Sequence, residues 1–152
     1  MTERISIING PNLNLLGQRK PELYGSTSLE QIKKSCLNRA AELGFDLDFM
    51  QSNHEGELVE ELHRAAGQAA AVIINPAAYG HTSIALYDAL ETLKIPVVEV
   101  HLSNIHRRES FRQVSYVSAQ ATAVIAGAGA YGYLLALDFV AQALGNKSRS
   151  LP

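Results

Sequence analysis

Ile5-Ser6-Ile7-Ile8-Asn9-Gly10-Pro11-Asn12 is the stretch on which the fold turns. A run this short and apolar, cut off by turn residues, suits a strand buried on both faces of a parallel sheet. Parallel strands need crossover connections, and the sequence downstream supplies them. Ser28 and Gln31 have capping-box spacing for a helix that stops before Gly44, a residue suited to a left-handed cap. Phe45 to Met50 reads as a second strand. Leu58, Val59, Leu62, Ala65 and Ala66 recur at helical spacing between Glu57 and Ala66, and Ala70 to Ile74 resumes a buried strand that stops at Asn75-Pro76. Ile84 to Leu93 makes a further helix, Pro96 to Val100 a fourth strand, Thr122 to Ala126 a fifth, and Tyr131 to Leu144 a strongly apolar last helix. Strands alternating with helices imply an α/β architecture: a three-layer, doubly wound, five-stranded parallel sheet of flavodoxin-like kind, with 2-1-3-4-5 the expected strand order at this size. No repeat, linker or low-complexity segment divides residues 1–152, so one catalytic domain is expected, with a loose tail over 145–152.

Composition narrows the function. Hydrophobic residues make up 47% and charged ones 18%, with a net charge of -2, which fits a soluble globular protein and not a disordered chain. The 13 Lys and Arg are scattered among 15 acids, leaving no basic stripe for nucleic acid or for a membrane surface. A small-molecule partner is the expectation. The one cysteine, Cys36, cannot form an internal disulfide, and no Cys/His cluster has metal-ligand spacing, so no metal and a reducing compartment are expected. The N-terminus lacks a signal-peptide pattern and no apolar stretch reaches the ~18 residues of a membrane span, which points to the cytoplasm.

In open parallel sheets, ligands bind beyond the carboxyl ends of the strands, where loops and helix N-termini converge. Three polar segments fall there. After strand one come Asn9 to Arg19 and then Tyr24-Gly25; after strand three, Asn75-Pro76-Ala77-Ala78-Tyr79-Gly80-His81-Thr82-Ser83; and across the end of strand four, Glu99, His101, Ser103 and Asn104. Each has a plain structural reading. Asn-Gly-Pro-Asn is common turn chemistry, and Glu99 with His101, two apart on a strand, could be a satisfied core pair. Their joint placement on one rim argues for a site. Residues 13 to 25 also form a long loop punctuated by Gly17, Pro21 and Gly25, the pattern of an active-site lid.

Taken together, Ile8 to Gly17 with Arg19 and Tyr24-Gly25, Asn75 to Ser83, Glu99 to Arg112, and Gly127-x-Gly-x-x-Gly-Tyr133 resemble, in order, the blocks of the type II 3-dehydroquinate dehydratases. The resemblance spans roughly Ile5 to Leu144. Lys20 departs from it, standing where an acid would be expected before the proline. What the resemblance implies is elimination of water from 3-dehydroquinate to 3-dehydroshikimate through an enolate, with no metal, cofactor or Schiff base. Such a reaction needs a strong base, and free tyrosine, with a pKa of about 10, needs a nearby cation to serve as one. Tyr24 is then the base, with Arg19 beside it. Asn12 orients a water toward the enolate oxygen, His101 is the general acid, and Glu99 orients His101. Substrate contacts are expected from Asn75, His81 and Arg112, the backbone of Leu102 and Ser103, and Asp88, which reaches the site of a neighbouring subunit. Members of the family form homododecamers, tetramers of trimers, and the same is expected here.

Two rival readings come from other classes. Gly127-Ala128-Gly129-Ala130-Tyr131-Gly132 satisfies the dinucleotide-binding G-x-G-x-x-G pattern, but it lies in the last βα unit and the acidic residue expected about 20 positions on would fall in the tail. Its glycines read better as permitting close helix-to-sheet packing. A non-catalytic flavodoxin-like ligand-binding module is the other, and fold alone does not separate it from an enzyme. Lys20, Lys33, Lys34, Lys94 and Lys147 all stand in polar or element-end contexts, poor settings for a Schiff-base lysine.

Overall fold

The computed structural model describes residues 2–148. β1 (Arg4–Asn9), β2 (Asp46–Gln51), β3 (Ala71–Asn75), β4 (Val97–His101) and β5 (Ala123–Ala126) form one sheet in the order β2-β1-β3-β4-β5, every neighbouring pair parallel. The expected strand order holds. The helices are α1 (Pro21–Tyr24), α2 (Leu29–Leu43), α3 (Glu55–Gln68), α4 (Ile84–Glu91) and α5 (Tyr131–Ser148).

Strand alternation decides which layer each side chain joins. Ile5, Ile7, Ile73, Val98 and Val100 pack with Ile32 and Cys36 of α2 and with Tyr133, Ala136, Leu137 and Val140 of α5. Ile8, Val72, Ile74 and Val97 face the opposite way, toward Leu58 and Leu62 of α3 and Leu86 and Leu90 of α4. The buried positions of α5 follow i, i+3, i+4, i+7 spacing, one stripe of an α-helix. Cys36, buried in the first layer, has its thiol pushed up to about 12 by burial. It should therefore resist thiol reagents until the protein unfolds.

Local chemistry fixes the helix ends. Ser28 Oγ accepts from the backbone of Gln31 and the Gln31 side chain accepts from Ser28 N, a complete capping box, while Gly44 caps α2 in the left-handed region at φ 84°. Two expectations need correction. The connection after β1 is not irregular throughout: Leu13–Leu15 is a 3₁₀ turn and Pro21–Tyr24 a one-turn helix with Pro at its start, too short for periodicity to register. And α5 runs on to Ser148, so residues 145–148 are helical rather than loose, because a late glycine costs a helix only about 1 kcal/mol. The rest of the expected tail, residues 149–152, lies outside the described residues.

Tyr133 joins the core to the rim. Fully buried, its hydroxyl donates to Asn9 Oδ1 (2.7 Å) and accepts from Asn75 Nδ2 (2.9 Å), tying the ends of β1 and β3 together under the loops. Burial pushes this phenol upward, so it stays protonated and keeps both bonds. Tyr133→Phe leaves two buried amide atoms unmatched and should lower stability by about 1–3 kcal/mol, read as a lower urea midpoint with an unchanged m-value.

Candidate active site

The carboxyl ends of β1, β3 and β4 open into one cavity, lined by Asn12, Arg19, Tyr24, Asn75, His81, His101, Leu102, Ser103 and Arg112 among the residues singled out from sequence. The loops that frame it are drawn tight. Gly10 N donates to Asn75 O (2.8 Å), and a Cβ at position 10 would stand 2.4 Å from the Pro76 carbonyl oxygen, so only glycine lets these two loops meet. Asn12 (φ 69°) and Ala77 (φ 51°) both hold left-handed backbone at the cavity wall, strain of the kind that gathers at functional sites. Asn53, which sequence gave no reason to single out, holds Asn12 by accepting from its backbone N–H at 3.0 Å. Asn53 is fixed in turn by Gln51 Nε2 and by the Tyr79 hydroxyl on its carbonyl.

In the connection after β1, Leu13 and Leu16 are buried anchors, and Gly17 (φ 90°) and Gly25 (φ 84°) bracket a largely exposed segment carrying Arg19 and Tyr24. Two guanidiniums stand over the Tyr24 ring, with Arg19 Cζ 5.1 Å and Arg108 Cζ 5.2 Å from its centroid. Arg108 is the residue that sequence reasoning missed. Its side chain is 8% exposed, its Nη1 donates to Ser103 Oγ at 3.3 Å, and its buried Nε, which makes no hydrogen bond, stands 3.9 Å from Glu109 Oε1.

Deeper in, His101 Nε2 and Glu99 Oε2 are 2.5 Å apart, both residues buried. Burial alone would push the Glu99 carboxyl up. The hydrogen bond and charge of His101, with hydrogen bonds from Ser118 and Ser115, outweigh it and hold the carboxyl below the usual carboxylate range. An ionised carboxylate only accepts, so Nε2 of His101 carries the hydrogen and Nδ1 is left for the cavity. Glu99 itself does not line the cavity; it meets the cavity only through its bond to His101. His81, stacked against His101 with ring centroids 6.0 Å apart, uses Nδ1 to donate to Val114 O at 2.8 Å. Burial, with His101 and Arg112 nearby, lowers its pKa despite that bond, so near pH 7 His81 is neutral and presents Nε2 as an acceptor for a hydroxyl. Asn75 accepts from Ala77 N (3.1 Å), which orients its amide. Asp88 stands apart, exposed on α4 and outside the cavity lining.

The Dehydroquinase class II family model matches residues 3–141. The chain belongs to the class II dehydroquinase family. Relatives agree: a 3-dehydroquinate dehydratase from Bartonella bacilliformis is 58% identical over 152 residues, covering 99% of this chain and 96% of its own length. Another, from Agrobacterium fabrum, is 56% identical over 137 residues, 90% of this chain and 94% of that protein. The crystal structure of type II dehydroquinase from Propionibacterium acnes superposes with a TM-score of 0.90 at 44% identity, covering 93% of this chain and 98% of that one. Gly132 packs α5 against the sheet, where a Cβ would meet Val100 and Ile125 at 3.4 and 3.5 Å, ordinary packing distances.

Proposed function

We infer that this chain is a type II 3-dehydroquinate dehydratase, a hydro-lyase, and that Tyr24 and His101 are its base and acid. Family membership carries the activity; the division of roles rests on the placement of Tyr24 beside two guanidiniums at the cavity and of the Glu99-anchored His101 in the same lining. In the first step the Tyr24 phenolate takes a proton from the methylene beside the substrate ketone, and the C–H electron pair moves to the ketone oxygen as an enolate. Positive charge from Arg19 and Arg108, both close to the ring, is the setting an anionic phenol needs. Asn12 orients a water toward the enolate oxygen, where charge develops. In the second step the enolate collapses, a carbon–carbon double bond forms, the β C–O bond breaks, and His101 passes its proton to the departing hydroxyl, which leaves as water. Both protein groups then return to their starting protonation through solvent.

Substrate recognition falls to Asn75, His81 and Arg112 with the backbone of Leu102 and Ser103: neutral acceptors and amides for hydroxyls, a guanidinium for the carboxylate. Asp88, exposed here, is assigned to the neighbouring subunit's site in a dodecamer of four trimers. We place the enzyme in the cytoplasm. Among the described residues no helix is long and apolar enough to cross a membrane, and the lone cysteine is free and buried.

The lid supplies a test. If closure over substrate brings Tyr24 to the reacting carbon, trypsin should cut after Arg19 in the free enzyme and slow markedly with a saturating substrate analogue; Lys20, followed by proline, should stay uncut. Equal cutting with and without the analogue would contradict lid closure. Borohydride added with substrate should leave activity intact, since no Schiff base forms.

A further inference from the structure

The Glu99–His101 pair is not free-standing. Glu99 Oε1 accepts from the Ser118 hydroxyl, and Oε2, which faces His101, also accepts from the Ser115 hydroxyl at 2.7 Å. The two serines lie on one short strap between the turn 110–112 and β5. Ser115 Oγ is itself fixed, because it also accepts from Ser118 N at 3.2 Å. Val117, between them, is fully buried against the α3/α4 core layer. The strap reaches the second histidine as well: Val114 O accepts a hydrogen bond from His81 Nδ1, and Tyr116 N donates to Gly80 O at 2.8 Å. One five-residue segment therefore grips both the carboxylate behind His101 and the ring of His81.

We propose that Ser115 and Ser118 are positioning residues for the second half of the reaction, holding Glu99 by both oxygens so that His101 keeps Nε2 turned inward and Nδ1 aimed at the departing hydroxyl. A carboxylate with two oxygens and three donors has no rotational freedom left, and the imidazole bonded to it inherits that rigidity. With the serine hydroxyls gone, Glu99 pivots about its one remaining bond and the His101 ring drifts from the line of proton transfer. The rest of the cavity is untouched: neither serine lines it, and Tyr24, Arg19 and Arg108 make no contact with the strap's hydroxyls. The defect should fall on water loss and spare enolate formation.

The proposal rests on Tyr24 as base and His101 as acid, and the two steps can be read separately. In D₂O, proton NMR follows exchange of the substrate's α-methylene hydrogen, which reports enolate formation, while enone absorbance reports water loss. The serines are replaced singly and together by Ala, and Ser115→Thr and Ser118→Thr keep the hydroxyl as controls. The double Ala variant should lose about ten- to a hundredfold in kcat with KM changed less than about twofold, the size of effect expected from sub-ångström misplacement of a reacting group. Exchange should continue near the wild-type rate, and the Thr variants should recover most of the activity. If the double variant is too unstable to purify, Ser115→Ala alone should show the same split in smaller measure. His101→Asn, run alongside, separates the two readings. If His101→Asn exchanges without eliminating while the serine variants eliminate normally, the strap proposal is overturned and the acid assignment stands. If His101→Asn eliminates normally, the acid assignment falls, and the strap's role falls with it. Equal loss of exchange and elimination in the serine variants would mean a general structural fault and would likewise overturn the proposal.

Discussion

Tyr24→Phe should lower kcat by on the order of a hundred- to ten-thousandfold, the range that a positioned general base contributes, while KM changes little. The substitution removes one oxygen and leaves the ring, its place beside Arg19 and Arg108 and its contact with the core intact. The substrate-binding groups at Asn75, His81, Leu102, Ser103 and Arg112 are not altered, so a large fall in kcat at constant KM isolates the lost proton acceptor. Both exchange and elimination should stop together, because no enolate forms without the base. Removing Arg108 as well as Arg19 should do similar damage to kcat by a different route, since it strips both positive charges from beside the ring.

His101→Asn should produce a second large loss, again on the order of a hundred- to ten-thousandfold in kcat, but with exchange retained. Here the enolate forms and returns to the ketone, because the leaving hydroxyl finds no proton. The variant should also be less stable. His101 is the partner that most opposes the burial cost of the Glu99 carboxylate, and its removal leaves that charge buried with the serine hydroxyls alone. Thermal melting beside steady-state kinetics tells the two effects apart.

Much of this was legible in the chain. The inner strands β1 and β3 announce themselves as short apolar runs ended by Asn, because the middle of a doubly covered sheet is buried on both faces, whereas the edge strands β2 and β5 are half-exposed. Glu99 and His101, two apart on β4, had to share a face, and the alternation of Val98 and Val100 into the opposite layer bears that out. The helix boundaries with chemical caps, Ser28 and Gly44, could be read closely. Those without, such as the end of α4 at Glu91 where Leu93 was expected, shift by a residue or two, because nothing in the side chains marks the last turn. What stayed hidden was non-local. Arg107 and Arg108 are adjacent and chemically alike, and only the path of the loop turns Arg108 inward over Tyr24. Ser115 and Ser118 meet Glu99 from 16 and 19 residues away across a strap with no periodic pattern. Asn53 reaches Asn12 across 41 residues. Each lacks a spacing rule, because its partner is set by tertiary packing rather than by helix or strand period.

The most direct test of the account is the absorbance of the ultraviolet enone band when the purified chain, with no added cofactor, meets 3-dehydroquinate. A prompt rise that stops at the equilibrium of a dehydration, with water lost and the ring carbons otherwise intact by mass, is the result expected of this family and this site. No rise, from protein that is folded by circular dichroism, would contradict the assignment of the reaction itself.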